Sequence, residues 1–183
     1  MVMQMLAAAP YQVLTDGVRR PDADNPRGYF EWEPIKQLSQ QPQLLAELDE
    51  IAVKIVSVLL PAVPRHLSAR VLFLDRPLKE IAASQAAMLR RSGREPALPG
   101  ASLLKALEQH LNQVNRWLAD SPNLTVLRLS YHVLLDNPGG ECKRIQEFAS
   151  LSADSILRMQ ARIDGSLYRQ RQPHNFTTQD LDK

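Results

Sequence analysis

Apolar residues at Leu103, Leu104, Leu107, Leu111, Val114 and Leu118 recur at three- and four-residue steps. That is the period of an amphipathic helix, predicted here over residues 101–119. A second stripe, Leu78, Ile81, Ala82, Gln85 and Leu89, predicts a helix from Leu78 to Arg91, opened by Pro77 and closed by Ser92-Gly93. Three segments are instead continuous apolar runs: Ile51 to Leu60, with Val53, Ile55, Val56 and Val58, then Arg70 to Leu74, then Leu124 to Leu129. Such β-branched runs predict strands buried on both faces, the first ended by Pro61 and Pro64. Met1 to Ala9 reads as a helix, Tyr11 to Leu14 as a short strand, and Pro34 to Leu38 as a short helix. Tyr131 to Leu135 reads as a turn or short helix, and Glu141 to Ala149 and Ala153 to Ile163 as helices. Thr15 to Gly28 is loop-like, and residues 170–183 form a polar tail. Strands alternating with helices predict an α/β fold, a three-layer parallel sheet with helices on both faces, in a single domain over residues 1–183.

Composition narrows the function. A net charge of +2 on 183 residues excludes a strongly basic nucleic-acid sleeve but leaves room for a local anion pocket. The single cysteine, Cys142, excludes an internal disulfide and a cysteine-rich zinc site, and points to a reducing, cytoplasmic setting. No apolar run is long enough to span a bilayer. Leu6 to Ala9 follows no basic region and is too short for a signal peptide. The chain opens in mid-helix without a capping residue, so its beginning is expected to be missing.

Two segments can carry chemistry. In the first, Asp75-Arg76-Pro77 joins a strand to a helix, and Ser84 lies two turns on, on the face of Pro77. Ligands of open parallel sheets bind beyond the carboxyl ends of strands. An arginine there, a helix N-terminus and a serine suit one phosphate; the plain alternative is a surface arginine and a small packed serine. In the second, Tyr29-Phe-Glu31-Trp-Glu33 interleaves aromatics with carboxylates. A carboxylate beside aromatics is a candidate general base, and solvated glutamates are the plain alternative. His66, His110, His132 and His174 are scattered without metal-ligand spacing. Arg158, Arg162, Arg169 and Arg171 offer a cation from the C-terminal side, against the plain reading of solvated faces.

Together these blocks resemble the sulfotransferase family, P-loop-like enzymes that use 3′-phosphoadenosine 5′-phosphosulfate. Met3-Gln-Met-Leu-Ala-Ala-Ala9 is similar to the helix after the family's phosphosulfate loop, and Asp24-Asn-Pro-Arg-Gly-Tyr-Phe-Glu31 to its Asn-Pro-x-Gly-Tyr/Phe-x-Glu segment. Val71-Leu-Phe-Leu-Asp-Arg76-Pro77 through Ser84 resembles the block that holds the donor's 3′-phosphate. Leu127-Arg-Leu-Ser-Tyr131 through Pro138 resembles a Tyr-x-x-Leu-x-x-x-Pro segment. The resemblance runs from Met1 to about Tyr168 and rests on the order and spacing of the blocks.

It implies sulfuryl transfer from 3′-phosphoadenosine 5′-phosphosulfate to a hydroxyl or amine of a small-molecule, glycan or peptide acceptor, without metal. Glu31, with Glu33 in reserve, would take the acceptor proton. Arg76, Ser84, Tyr131 and Arg169 would hold the donor. Two departures stand out. The family's first strand and its Pro-Arg-Ser-Gly-Thr loop are not in this sequence, so a truncated, inactive chain with two exposed strand edges is expected. Leu59 stands where many cytosolic members carry a catalytic histidine, which turns the search for a base to Glu31. The rival readings are a non-catalytic nucleotide-binding or interaction module, and a P-loop kinase-like phosphotransferase.

Overall fold

A computed structural model describes residues 1–22, 25–95 and 97–168. The chain is a mixed α/β protein. Among the described residues the α-helices are α1 (Val2–Ala8), α2 (Leu78–Arg91), α3 (Gly100–Ala119), α4 (Tyr131–Asp136), α5 (Pro138–Phe148) and α6 (Ser155–Gln160). Short 3-10 helices lie at Glu33–Gln37, Pro42–Leu45, Ser57–Ala62 and Gly165–Leu167. The sheet among the described residues is a parallel pair, β1 (Ala69–Asp75) and β2 (Leu124–Ser130), in register from Ala69 opposite Leu124 to Asp75 opposite Ser130.

Alternation along the two strands sorts their side chains between two cores. Leu72, Leu127 and Leu129 pack with Met5, Leu6, Leu134, Cys142, Ile145 and Met159 from α1, α4, α5 and α6. Val71, Phe73, Leu124 and Val126 pack with Val114 and Leu118 of α3 and with Ile35, Leu38, Leu45 and Leu60. Local signals position the helices that leave the strands. Ser130 accepts from the Val133 amide at the start of α4, and Asn137 from the Gly140 amide at the start of α5. A Cβ on Gly140 would lie 2.7 Å from Asn137 Nδ2, so this cap needs glycine.

Among the described residues the sheet is the β1–β2 pair alone, and the first strand predicted from the sequence does not join it. Residues 51–56 run extended, but their ladder contact is one parallel bridge, Ala52 to Val13. From Ser57 the chain winds into a 3-10 helix, leaving Val56 and Val58 53% and 64% exposed. The predicted Tyr11–Leu14 strand is likewise reduced to that bridge. A β-branched apolar run sets the preference for an extended, buried chain, whereas a strand also needs a neighbour on its edge. Here β1 and residues 51–55 line a common cleft of about 900 Å³.

The hydrogen bonds show which edges face it. Ala69 donates to the Asn123 carbonyl at 3.1 Å. By parallel-ladder alternation Ala69, Val71, Phe73 and Asp75 pair with β2, while Arg70, Leu72 and Leu74 direct their peptide groups away from it. Ala52 bonds to Gln12 and Leu14, so Ile51 and Val53 point the other way. The outer edge of β1 and the segment around the Ala52 bridge therefore flank the cleft. Among the described residues no helix is long and apolar enough to cross a membrane.

Candidate functional site

The carboxyl ends of β1 and β2 meet at a polar cluster. Arg76 follows β1 directly, Glu80 sits in the first turn of α2, and Tyr131 and His132 open α4 after β2. Tyr168 follows the last 3-10 helix. Glu80 is 1% exposed, and a buried carboxylate must be met by donors. Arg76 Nε donates to Glu80 Oε2 at 3.2 Å. His132 Nε2 lies 3.1 and 3.2 Å from the two Glu80 oxygens. The Tyr168 hydroxyl donates to Glu80 Oε2 and also lies against His132 Nε2.

The Arg76 guanidinium stands over two rings, 5.1 Å from the Tyr131 centroid and 5.0 Å from that of Tyr168. Those rings are edge-to-face at 4.9 Å and 75°. Arg76 Nε donates to Glu80, and the Arg76 side chain also hydrogen-bonds that of Tyr168. Its side chain is 22% exposed and lines the cleft. Burial first, and then the hydrogen bond to Glu80, push the Tyr168 phenol up to about 12. Burial also raises Tyr131, against the opposing pull of Arg76.

Glu31 belongs to a separate network. Its carboxylate accepts from Lys54 Nζ at 3.0 Å and Arg19 Nη1 at 3.3 Å. Partial burial pushes this carboxyl up, but the Lys54 hydrogen bond and the two cations outweigh it, and the net shift is downward. Arg19 lies 3.4 Å from the Tyr29 centroid, and Lys54 also donates to the Tyr29 carbonyl. Arg27 pins the segment to the C-terminal region, with Nη1 on the Arg162 carbonyl at 2.9 Å and Nη2 on Asp164 at 2.6 Å. Gly28, at φ 86°, provides the left-handed turn that this route requires. Glu33 is paired with Lys36 at 2.6 Å near the surface.

The structure thus brings Arg76 and Tyr131 together and puts Glu31 elsewhere, outside the residues that line the cleft. Ser84 is half-buried on α2, also outside the lining. Arg169 lies outside the described residues. Sequence reading missed Glu80, His132 and Tyr168. An Arg–Glu pair four residues apart across a proline at a helix start was the available signal for Glu80. His132 had only its place one residue into the helix after β2, and Tyr168 had no local signal. His110, read as isolated, meets Ser57 Oγ at 2.8 Å, and both line the cleft.

Among the described residues no group of three or more His, Cys, Asp or Glu is placed to hold a metal ion. Comparison with family models, with curated proteins and with solved structures gives no match.

Proposed function

We propose that this chain is a sulfotransferase-like protein of P-loop-like fold, whose Arg76 receives the 3′-phosphate of 3′-phosphoadenosine 5′-phosphosulfate. The observation that carries the reading is the state of Arg76. It stands at the carboxyl end of a parallel strand, held through Nε by Glu80 and flanked by two tyrosine rings, and its partly exposed side chain lines the cleft. A planar fork of this kind matches two phosphate oxygens, which an ammonium cannot do. The outer edge of β1, which faces the cleft, is in keeping with the same reading, because the resemblance leads one to expect an exposed strand edge there.

The fit to the donor is partial. Arg76 and Tyr131 are placed together for the 3′-phosphate end, with Ser84 further along α2. The sequence holds no Pro-Arg-Ser-Gly-Thr loop for the phosphosulfate end. When bound, the donor supplies the sulfuryl group. Arg76 then orients it through a part that does not react, which is how remote binding lowers a barrier. Glu31 is the proposed acceptor base in the loop-containing protein: its lowered pKa keeps it ionised at neutral pH, and the same shift makes it a weaker base.

The test is calorimetric titration of the chain with adenosine 3′,5′-bisphosphate and with 5′-AMP. Preference for the bisphosphate is expected. Equal binding by a chain shown to be folded sinks the donor assignment.

A further inference from the structure

We infer that Glu80, gripped by His132 and Tyr168, is a positioning residue that holds the Arg76 guanidinium ready for an oxyanion of the phosphate or sulfate class. The inference rests on the anion-site reading of Arg76 above and adds what makes that site selective.

An arginine side chain is long and rotamer-rich, and freezing it on binding opposes affinity. Here much of that ordering is done before any ligand arrives. Glu80 is 1% exposed and set in the first turn of α2, so its carboxylate is a fixed point. It takes only the Nε edge of Arg76. Tyr131 and Tyr168 stand against the guanidinium. The Arg76 side chain, also bonded to that of Tyr168, stays 22% exposed and is among the residues lining the cleft. A guanidinium held along its Nε edge can present its terminal nitrogens to two oxygens of one tetrahedral oxyanion.

The negative charge of Glu80 would by itself repel such a ligand. Among the described residues Arg76 Nε, His132 Nε2 and the Tyr168 hydroxyl converge on it and share its charge. Those donors come from three separate parts of the chain: the β1–α2 junction, the start of α4 and the segment after Gly165–Leu167. The carboxyl ends of both strands and the C-terminal segment are thereby tied to one side chain.

The experiment follows the Arg76 Nε–H resonance in the full ¹⁵N-labelled chain, assigned by its loss in Arg76→Lys, during titration with inorganic phosphate at constant ionic strength. In the parent chain phosphate should move this resonance saturably. In Glu80→Gln the resonance should shift toward that of free arginines, and phosphate affinity should fall at least about tenfold, equivalent to roughly 1.4 kcal/mol. Tyr168→Phe removes one hydroxyl only and should lose about threefold. It decides the matter if Glu80→Gln does not fold. A parent resonance that phosphate leaves unmoved overturns the inference. So does unchanged affinity in a folded Glu80→Gln, or, where that variant is unfolded, in Tyr168→Phe. Glu80-dependent phosphate binding, with adenosine 3′,5′-bisphosphate and 5′-AMP bound equally, upholds the positioning role and refutes the sulfuryl-donor reading alone.

Discussion

Arg76→Ala removes the guanidinium that the cluster holds at the end of β1. Charge-assisted hydrogen bonds are worth about 1.5–3 kcal/mol. At 1.4 kcal/mol per decade, loss of the fork lowers affinity for adenosine 3′,5′-bisphosphate roughly 10- to 150-fold. Affinity for 5′-AMP, which lacks the 3′-phosphate, should change much less. The same substitution has a cost in stability, because Glu80 is buried and loses a donor. His132 and Tyr168 still face the carboxylate, and Arg76 is not itself fully buried, so the cost is about 1–3 kcal/mol. Arg76→Lys separates charge from geometry. It keeps a cation but loses both the Nε bond and the fork, so its bisphosphate affinity should stay nearer to that of alanine than to that of the parent. The assay is paired calorimetry with both nucleotides, alongside urea unfolding to confirm the folded fraction. A folded Arg76→Ala chain that binds the bisphosphate as tightly as the parent refutes the assignment, and equal losses for both nucleotides place Arg76 somewhere other than at the 3′-phosphate.

Three further predictions test the surrounding structure. Lys54→Met removes the closest cation from Glu31, so the Glu31 carboxyl should titrate higher, followed by its ¹³C shift against pH. Because that pKa is lowered by folding, Glu31 stabilises the native state above its unfolded pKa and loses this effect as pH falls through the folded value; no upward movement in the variant would show that Lys54 is not the cause. Hydrogen exchange should alternate along β1, with Leu72 and Leu74 amides exchanging at least roughly fivefold faster than Val71 and Phe73, the factor set by one hydrogen bond of about 1 kcal/mol. Uniform protection along β1 would mean that its outer edge is paired. Leu134→Ala, at a fully buried position among Met5, Leu129 and Ile145, should cost about 2–5 kcal/mol, read as a fall of about 1–2 M in the urea midpoint; a fall below about 0.3 M would deny its place in that core.

Much of the local architecture was legible from short-range pattern. Periodicity located both α2 and α3, the stripe of α3 burying Val114 and Leu118 and that of α2 lying half-buried, and Pro77 marked the start of α2. The runs at β1 and β2 were also readable, because successive apolar residues alternate between the two cores. The run from Ile51 to Leu60 carried the same signal and did not become a strand of the sheet. Burial preference resides in the side chains, whereas pairing depends on which backbone edge lies 4.8 Å or so away.

The site divides along the same line. Arg76 was identifiable from the chain alone, since a strand followed by Arg-Pro and a helix puts that side chain at a strand's carboxyl end. Its contact with Tyr131, 55 positions away, and its bond to a carboxylate clamped by His132 and Tyr168 were decided by tertiary structure. Each of these residues is polar and unremarkable in its own segment. Only the folded chain, by bringing the ends of two parallel strands and the C-terminal segment together, makes burying Glu80 tolerable, because His132 and Tyr168 come to it from distant stretches of sequence. Periodicity could specify the elements because it is a property of neighbours along the chain; the cluster is a property of neighbours in space.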